Sequence, residues 1–279
     1  MEELLAPKVR KTVSKWCSED KLKMFSSFRR NGKPVECFAL HTALVSEIAR
    51  RMAKRRRRFL ARVFKKLSAE SEDKVVDVVV LSALLHDVGK LTQTYHQGIT
   101  QPRHELVSAL ATFDYVENLM GERLGAVVTL SVLLHHSPMM RKAMKWTLLP
   151  FLTGDVCNML LRNAEVRFLF GADVLMKEML ESFGFDTSLF RLPDVINRFN
   201  CKAINRLQLV IDRTFKDGKT LGGLLYRAAV GGVLACLIPS DYLAARKVRG
   251  SSYSRFWEIV EREVVGDCLL DCSLQGMGK

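Results

Sequence analysis

Histidines at positions 41, 86, 96, 104, 135 and 136 are the residues of this 279-residue chain best equipped for chemistry. Asp87 directly follows His86, and His136 directly follows His135, so imidazoles and a carboxylate come in adjacent pairs. Residues 78–90, VVVLSALLHDVGK, form an apolar run that ends abruptly on an imidazole, a carboxylate and an ammonium group. A carboxylate at the end of an apolar helix is costly to bury unless a cation or several donors satisfy it, so Asp87 needs a partner. A local Asp87–Lys90 ion pair with His86 as a cap would suffice. So would a metal ion, and neutral imidazoles beside a carboxylate suit Mn, Fe, Co, Ni or Zn better than Ca or Mg alone. The remaining histidines tip the balance toward metal.

Helices must position these groups. Apolar residues recur at three- and four-residue spacing over 38–52, 75–91, 105–120, 124–134, 151–170 and 221–243, which predicts an all-α fold. Strand-like alternation is scarce, with 207–211 the one tempting stretch. Asn31-Gly32-Lys33-Pro34 reads as a turn before the first long helix, Ser71-Glu72-Asp73 as a helix start, and Ser137-Pro138 as the stop after His136. Between Pro138 and Leu221 the pattern is broken by Gly154, Gly171, Gly184, Pro193 and Gly218, as expected of a helical insertion or subdomain. The apolar run 221–239 contains Arg227, two Gly pairs and a terminal Pro239, and reads as a buried helix rather than a membrane span.

Lys and Arg outnumber Asp and Glu by 43 to 30, a net charge of +13 that favours a polyanionic partner, although basicity can also serve solubility alone. The densest charge lies in RRMAKRRRR at 50–58, followed by Arg62, Lys65 and Lys66. Arg51, Arg55, Arg58 and Arg62 recur every three or four positions, so on one helix they would share a face able to track a phosphate backbone without sequence preference. The alternative for such a run is a solvated helix face. Phe59, Phe64 or Tyr95 could stack on bases, or could simply be core. Seven cysteines, odd in number and lacking a CxxC pair, suit reduced core thiols rather than a structural zinc site. The charged first 30 residues show no secretory signal, and a cytoplasmic protein with no membrane partner is expected.

The order His41 … His86-Asp87-x-Gly89-Lys90 … His104 … His135-His136 … Asp241 resembles the HD superfamily of metal-dependent phosphohydrolases. His41, in the helix CFALHTAL, stands where that family's first ligand stands, and Asp241, in IPSDYLAA, stands at its last. The resemblance implies an HD-domain helical bundle spanning residues 1–279 as one nuclease domain, with a core at 37–138 plus 221–247 and a helical insertion at 139–220. It also implies one ion held by His41, His86, Asp87 and Asp241, and a second by His104, His135 and His136 with Asp87 bridging. Asp212 and Asp217 are fallback candidates for the last ligand.

Among dinuclear members, RHELVSA at 103–109 and LLHHSP at 133–138, on a basic chain, resemble the stand-alone HD nuclease of type I CRISPR interference. What this implies is a metal-dependent phosphodiesterase using two divalent ions (Mn, Ni, Co, Fe or Mg) to cut single-stranded DNA, with RNA as a further substrate, in antiviral defence. A separate CRISPR helicase subunit and an RNA-guided surveillance complex would deliver the strand. Asp87 and Lys90 would act in catalysis, Lys90 toward the scissile phosphate unless it is simply paired with Asp87. His96 falls outside the pattern and is expected to be structural or exposed. Gly218-Lys219-Thr220 lacks the upstream glycine of a phosphate-binding loop, since Arg213 stands there, so no ATPase is indicated. The competing readings are an HD phosphohydrolase of small nucleotides and a non-catalytic nucleic-acid-binding scaffold.

Overall fold

Helix dominates the computed structural model, as the periodicity predicts. It describes residues 4–30, 33–67, 72–99, 103–136, 166–196 and 221–249, with Arg206, Leu209, Val210 and Asp212. In chain order come α1 (Pro7–Trp16), α2 (Glu19–Met24), strands β1 (Ser26–Arg30) and β2 (Lys33–Cys37), then α3 (Phe38–Arg55), α4 (Arg57–Leu67) and α5 (Glu72–Leu85). A 3-10 turn (Val88–Leu91) leads to the short α6 (Gln93–His96) and the long α7 (His104–Leu134). After these come β3 (Val166–Arg167), α8 (Ala172–Ser182), β4 (Val195–Ile196) and α9 (Leu221–Arg249).

The centre of the bundle is α5. Val75, Val78, Val79, Val80, Leu81, Ala83, Leu84 and Leu85 are all buried, and from Val78 to Leu85 every residue is enclosed, as a stretch apolar on all sides must be. Helices α3, α4, α7, α8 and α9 pack around it. The chain therefore leaves the middle of the core directly into His86 and Asp87.

Helix α7 is two helices in one. Gly121 adopts φ 75°, ψ 167°, a backbone geometry that glycine adopts without a Cβ penalty. A straight helix of this length would separate its ends by about 46 Å at 1.5 Å per residue, yet the rings of His104 and His135 lie 5.8 Å apart. The chain thus folds back at Gly121, close enough that a Cβ on Gly125 would sit 3.0 Å from the Cα of Glu117. This matches the two separate periodic stretches at 105–120 and 124–134.

Helix α9 covers the periodic stretch 221–243 and continues through Pro239 to Arg249. Proline removes the N–H that Ala235 O would accept, and Arg56 Nη1 supplies a replacement donor at 2.9 Å. Ser240 Oγ donates to Cys236 O at 2.7 Å. Residues 222–247 are long and apolar enough to cross a membrane, but Ala229, Val230, Val233, Leu234, Cys236, Leu237, Leu243 and Ala244 are buried in the core and the helix packs on α3, α4, α5 and α7.

Three further expectations need correcting. Lys33 and Pro34, expected within a turn, open β2 instead, paired with Arg30 and Arg29 of β1, while Asn31 and Gly32 lie outside the described residues. Cys17 and Cys37, expected to be reduced thiols, form a disulfide, because the end of α1 packs on the end of β2 with the two Cα atoms 5.6 Å apart. Cys236 is a buried free thiol as expected, its pKa pushed up to about 11 by burial; Cys157, Cys201, Cys268 and Cys272 lie outside the described residues. At 207–211, the described residues Leu209 and Val210 are helical rather than extended. Most of 139–220 lies outside the described residues, and its described part contains α8, whose Leu175, Met176, Met179 and Leu180 join the main core.

Candidate metal centre

Every expected ligand but Asp241 sits at or near a helix end, and these ends meet against the interior of α9, which supplies Asp241. His41 lies in the first turn of α3, His86 and Asp87 follow the end of α5, His104 opens α7, and His135 and His136 close it. Asp241 comes two residues after Pro239 in α9. One ligand atom from each of His41, His86, Asp87 and Asp241 lies within 4.8 Å of the others, and the same holds for Asp87, His104, His135 and His136. Asp87 is common to both sets.

Its two oxygens divide between them. Oδ2 is 3.5 Å from His41 Nε2 and 3.3 Å from His86 Nε2, while Oδ1 is 3.2 Å from His104 Nε2 and 3.7 Å from His135 Nε2. Asp241 Oδ1 lies 3.1 Å from His41 Nε2 and 3.8 Å from His86 Nε2. His136 Nε2 is 3.2 Å from His104 Nε2. The fallback Asp212 lies in neither set, and Asp217 is outside the described residues.

The ring nitrogens show what this cluster suits. Nδ1 of His86 donates to Ala83 O and Nδ1 of His135 to Val132 O, each at 2.7 Å. Nδ1 of His41 meets Glu36 Oε1 at 3.0 Å. With Nδ1 carrying the proton, each Nε2 presents a lone pair inward, and His41 Nε2, His86 Nε2, His135 Nε2 and Asp87 Oδ1 are all buried without a hydrogen-bond partner. Unpartnered buried acceptors are rare. Converging on shared points, they fit divalent cations, and imidazole with carboxylate is the donor set of a borderline transition metal.

Charge in the metal-free cluster is held by protons. Burial pushes His41 down, but the carboxylates of Asp241, Asp87 and Glu36 outweigh it and hold its pKa well above the ordinary value. For His86 burial is likewise outweighed, chiefly by Asp87, and the pKa rises to about 9. His135 has the opposite fate: burial and the neighbouring His86 and His136 hold it neutral. Burial would raise Asp87, but His86 and Lys90 keep it ionised.

These shifts have opposite pH signatures. His86, raised from the ordinary 6.5 to about 9, contributes stability that is complete below about pH 6.5 and is lost as pH rises through 9, on the order of 3 kcal/mol. His135, depressed, contributes stability that is present above about pH 6.5 and is lost in acid. We therefore expect chelator-treated protein to melt at its highest temperature near pH 6.5. Added metal should raise the melting temperature more as pH increases, because binding displaces the ligand protons. Melting curves from pH 5 to 10, with and without Mn2+, measure this; a metal-free optimum above pH 9 would contradict it.

Lys90 is also buried, and its Nζ donates to Asp87 Oδ2 at 2.6 Å. In this structure it is the paired lysine of the simpler reading, not one pointing out toward a substrate. Gly89 N donates to Ser108 Oγ at 2.8 Å, which tethers the turn to the small residues one turn into α7. His96 belongs to neither ligand set; its ring lies beside Tyr95, whose own ring is 5.8 Å from His104.

Two carboxylates here were not anticipated. Glu36 and Glu105 are fully buried. Glu105 takes Arg103 Nη2 at 2.5 Å and lies 3.6 Å from His104 Nδ1 and 3.9 Å from His136 Nε2. Its position directly after His104 at a helix start was the available signal; Glu36, five residues before His41 and on a strand, gave none.

The basic run lies elsewhere. The helix breaks at Arg56, so Arg51 and Arg55 end α3 while Arg58 and Arg62 lie on α4, and the four do not share a single helical face. Arg51 is half-buried and pairs with Glu47 at 3.2 Å and Leu4 O at 3.3 Å. Arg55, Arg58, Arg62, Lys65 and Lys66 are exposed beside Phe59, which is 63% exposed, whereas Phe64 is core. Arg55 is 14 residues along α3 from His41, about 21 Å at the helical rise.

Residues 38–176 match the family model for the HD domain. Over 206 residues the chain is 26% identical to a CRISPR-associated endonuclease Cas3-HD of Methanocaldococcus jannaschii, covering 71% of this chain and 79% of the relative. Among solved structures it is similar to the CRISPR-associated Cas3 HD domain protein of the same organism, with 21% identity, a TM-score of 0.48, and coverage of 70% of this chain and 94% of that one.

Proposed function

The chain carries an HD domain, and from that premise we propose that it is a metal-dependent nuclease that hydrolyses phosphodiester bonds of single-stranded DNA, with RNA as a further substrate, in CRISPR interference. The observation that carries this reading is the paired ligand sets sharing Asp87, with buried Nε2 lone pairs that no protein group satisfies. Two divalent ions bound there would supply an activated water and neutralise charge developing on the phosphodiester. Support for acting on a nucleic acid comes from the net charge of +13 and from the similarity to a Cas3-HD endonuclease.

In this reading His41, His86 and Asp241 hold one side of the cluster and His104, His135 and His136 the other, with Asp87 spanning them. Lys90 keeps Asp87 charged while the cluster is empty of other cations. Were Asp87's charge met by bound ions, the Lys90 ammonium would be available to contact the phosphate. The strand would arrive from a separate helicase subunit and an RNA-guided surveillance complex, and residues 1–279 would work as one domain, in the cytoplasm.

Incubating the whole chain with labelled single strands and Mn2+ or Ni2+ tests this. Cutting is expected with metal and not with chelator, and turnover of mono- and dinucleotides is expected to be far slower. Rapid hydrolysis of small nucleotides with intact oligonucleotides would favour the small-substrate phosphohydrolase instead.

The exposed basic face of α4 gives a separate prediction. Replacing Arg58, Arg62 and Lys65 together with Ala should weaken single-strand binding at low salt and make log affinity less steeply dependent on log salt, by about one unit of slope for each phosphate no longer neutralised. Metal content should not change, since none of the three belongs to either ligand set. An unchanged salt slope in this variant would remove α4 from the binding surface.

A further inference from the structure

We infer that Glu36 is a positioning residue for the ion held by His41, fixing that imidazole's tautomer and making this side of the cluster the tighter of the two. The inference rests on the metal reading above and adds a residue that the ligand pattern does not contain.

His41 differs from His86 and His135 in what stands behind it, and from His104, whose Nδ1 lies 3.6 Å from Glu105 Oε2, beyond hydrogen-bonding distance. His86 and His135 donate from Nδ1 to the neutral carbonyls of Ala83 and Val132. His41 Nδ1 instead meets the carboxylate Oε1 of Glu36 at 3.0 Å, while Ser27 Oγ donates to the other oxygen, Oε2, at 2.7 Å. Glu36, Ser27 and His41 are all at 0% exposure. The hairpin makes this possible: β1 brings Ser27 beneath Glu36, and the chain turns from β2 straight into α3, so a residue five positions earlier lies behind the ring.

Glu36 cannot join the ion as a ligand through this contact, because the imidazole stands between them. It faces Nδ1, while Nε2 faces Asp87 and Asp241. A carboxylate on the far nitrogen fixes the tautomer with the proton on Nδ1, holds the ring's orientation and raises the basicity of the ligating nitrogen; losing such a partner typically costs 10- to 100-fold in metal affinity. The first ligand set is also the drier one. Besides the shared and buried Asp87, its His41 and His86 are buried and its Asp241 side chain is 18% exposed, whereas in the other set His135 is buried and the His104 and His136 side chains are 17% and 32% exposed. The set backed by Glu36 should therefore fill first and release last.

Titrating the metal-free protein with Co2+, while following visible absorption and bound metal per chain, tests this without recourse to activity. The wild type should bind in two steps. Glu36→Gln, which keeps the shape and removes the charge, should weaken the tighter step about 10- to 100-fold, alter the Co2+ spectrum of that step and leave the weaker step unchanged. Ser27→Ala should weaken the same step by less. A purely structural role would lower the melting temperature of the metal-free variants and leave both affinities and the spectrum as in wild type, which overturns the inference. If Glu36→Gln does not fold, Ser27→Ala decides alone, and unchanged affinity there counts against Glu36. A wild-type protein that takes up no Co2+ would instead defeat the metal reading itself.

Discussion

Asp87→Asn is expected to lower metal-dependent cleavage at least about 10³-fold, the scale seen when a preorganised electrostatic group is removed from an active site. The substitution keeps the shape but removes the one side chain, among the described residues, whose two oxygens serve both ligand sets. Neither set would then be complete. It also strands neighbours, because Lys90 and His86 are buried with Asp87 as their nearest carboxylate. Breaking a buried pair by removing one partner costs about 3–5 kcal/mol, so the metal-free variant should melt well below wild type. The double variant Asp87→Asn with Lys90→Met separates the two effects: it should recover much of the lost stability and none of the activity. Full cleavage by a folded Asp87→Asn protein would remove Asp87 from the chemistry.

Gly89→Ala should be nearly as damaging, for a reason visible only in three dimensions. A Cβ at Gly89 would fall 2.2 Å from His104 O and 2.9 Å from its C and Cα, all backbone atoms that no rotamer change can move aside. The 3-10 turn and the start of α7 must part, and His104 opens that helix. Overpacking of this kind costs about 1–3 kcal/mol or more. Displacing a reacting group by about 1 Å can cost on the order of 10²-fold in rate. The expected result is a folded, less stable protein that binds one ion normally, the other weakly, and cuts about 100-fold more slowly. Gly231→Ala is the control: nothing lies within 4 Å of its added methyl, and a helical Gly-to-Ala change should be neutral or stabilising by up to about 1 kcal/mol. Melting temperature, metal uptake and single-strand cleavage for both variants check this pair.

The glycine of the HDxGK segment is thus legible in sequence as part of a motif, while its physical role is the close approach to His104. The same division runs through the molecule. All seven expected ligands meet in one cluster; the His86-Asp87 and His135-His136 pairs stand out in the sequence by themselves, whereas His41, His104 and Asp241 are picked out through the HD-family resemblance. Glu36 and Glu105 were hidden, since glutamate is common on helix and strand surfaces and only tertiary packing buries these two. The basic run read as one helical face because periodicity does not register the break at Arg56, and Arg51 was diverted to Glu47 by its own helix. Pro239 is tolerated inside α9 because the donor that satisfies Ala235 O comes from Arg56, 179 residues away in sequence, a contact that spacing does not reveal. Pairing of Cys17 with Cys37 likewise depends on a contact between α1 and β2 that spacing does not reveal.

The most direct measurement is the metal-bound structure of the whole chain at a wavelength where bound Mn2+ scatters anomalously. Two peaks about 4 Å apart are predicted, one ringed by His41, His86 and Asp241, the other by His104, His135 and His136, with one oxygen of Asp87 on each. Anomalous density absent from this cluster, or found only at surface carboxylates away from Asp87, would contradict the account.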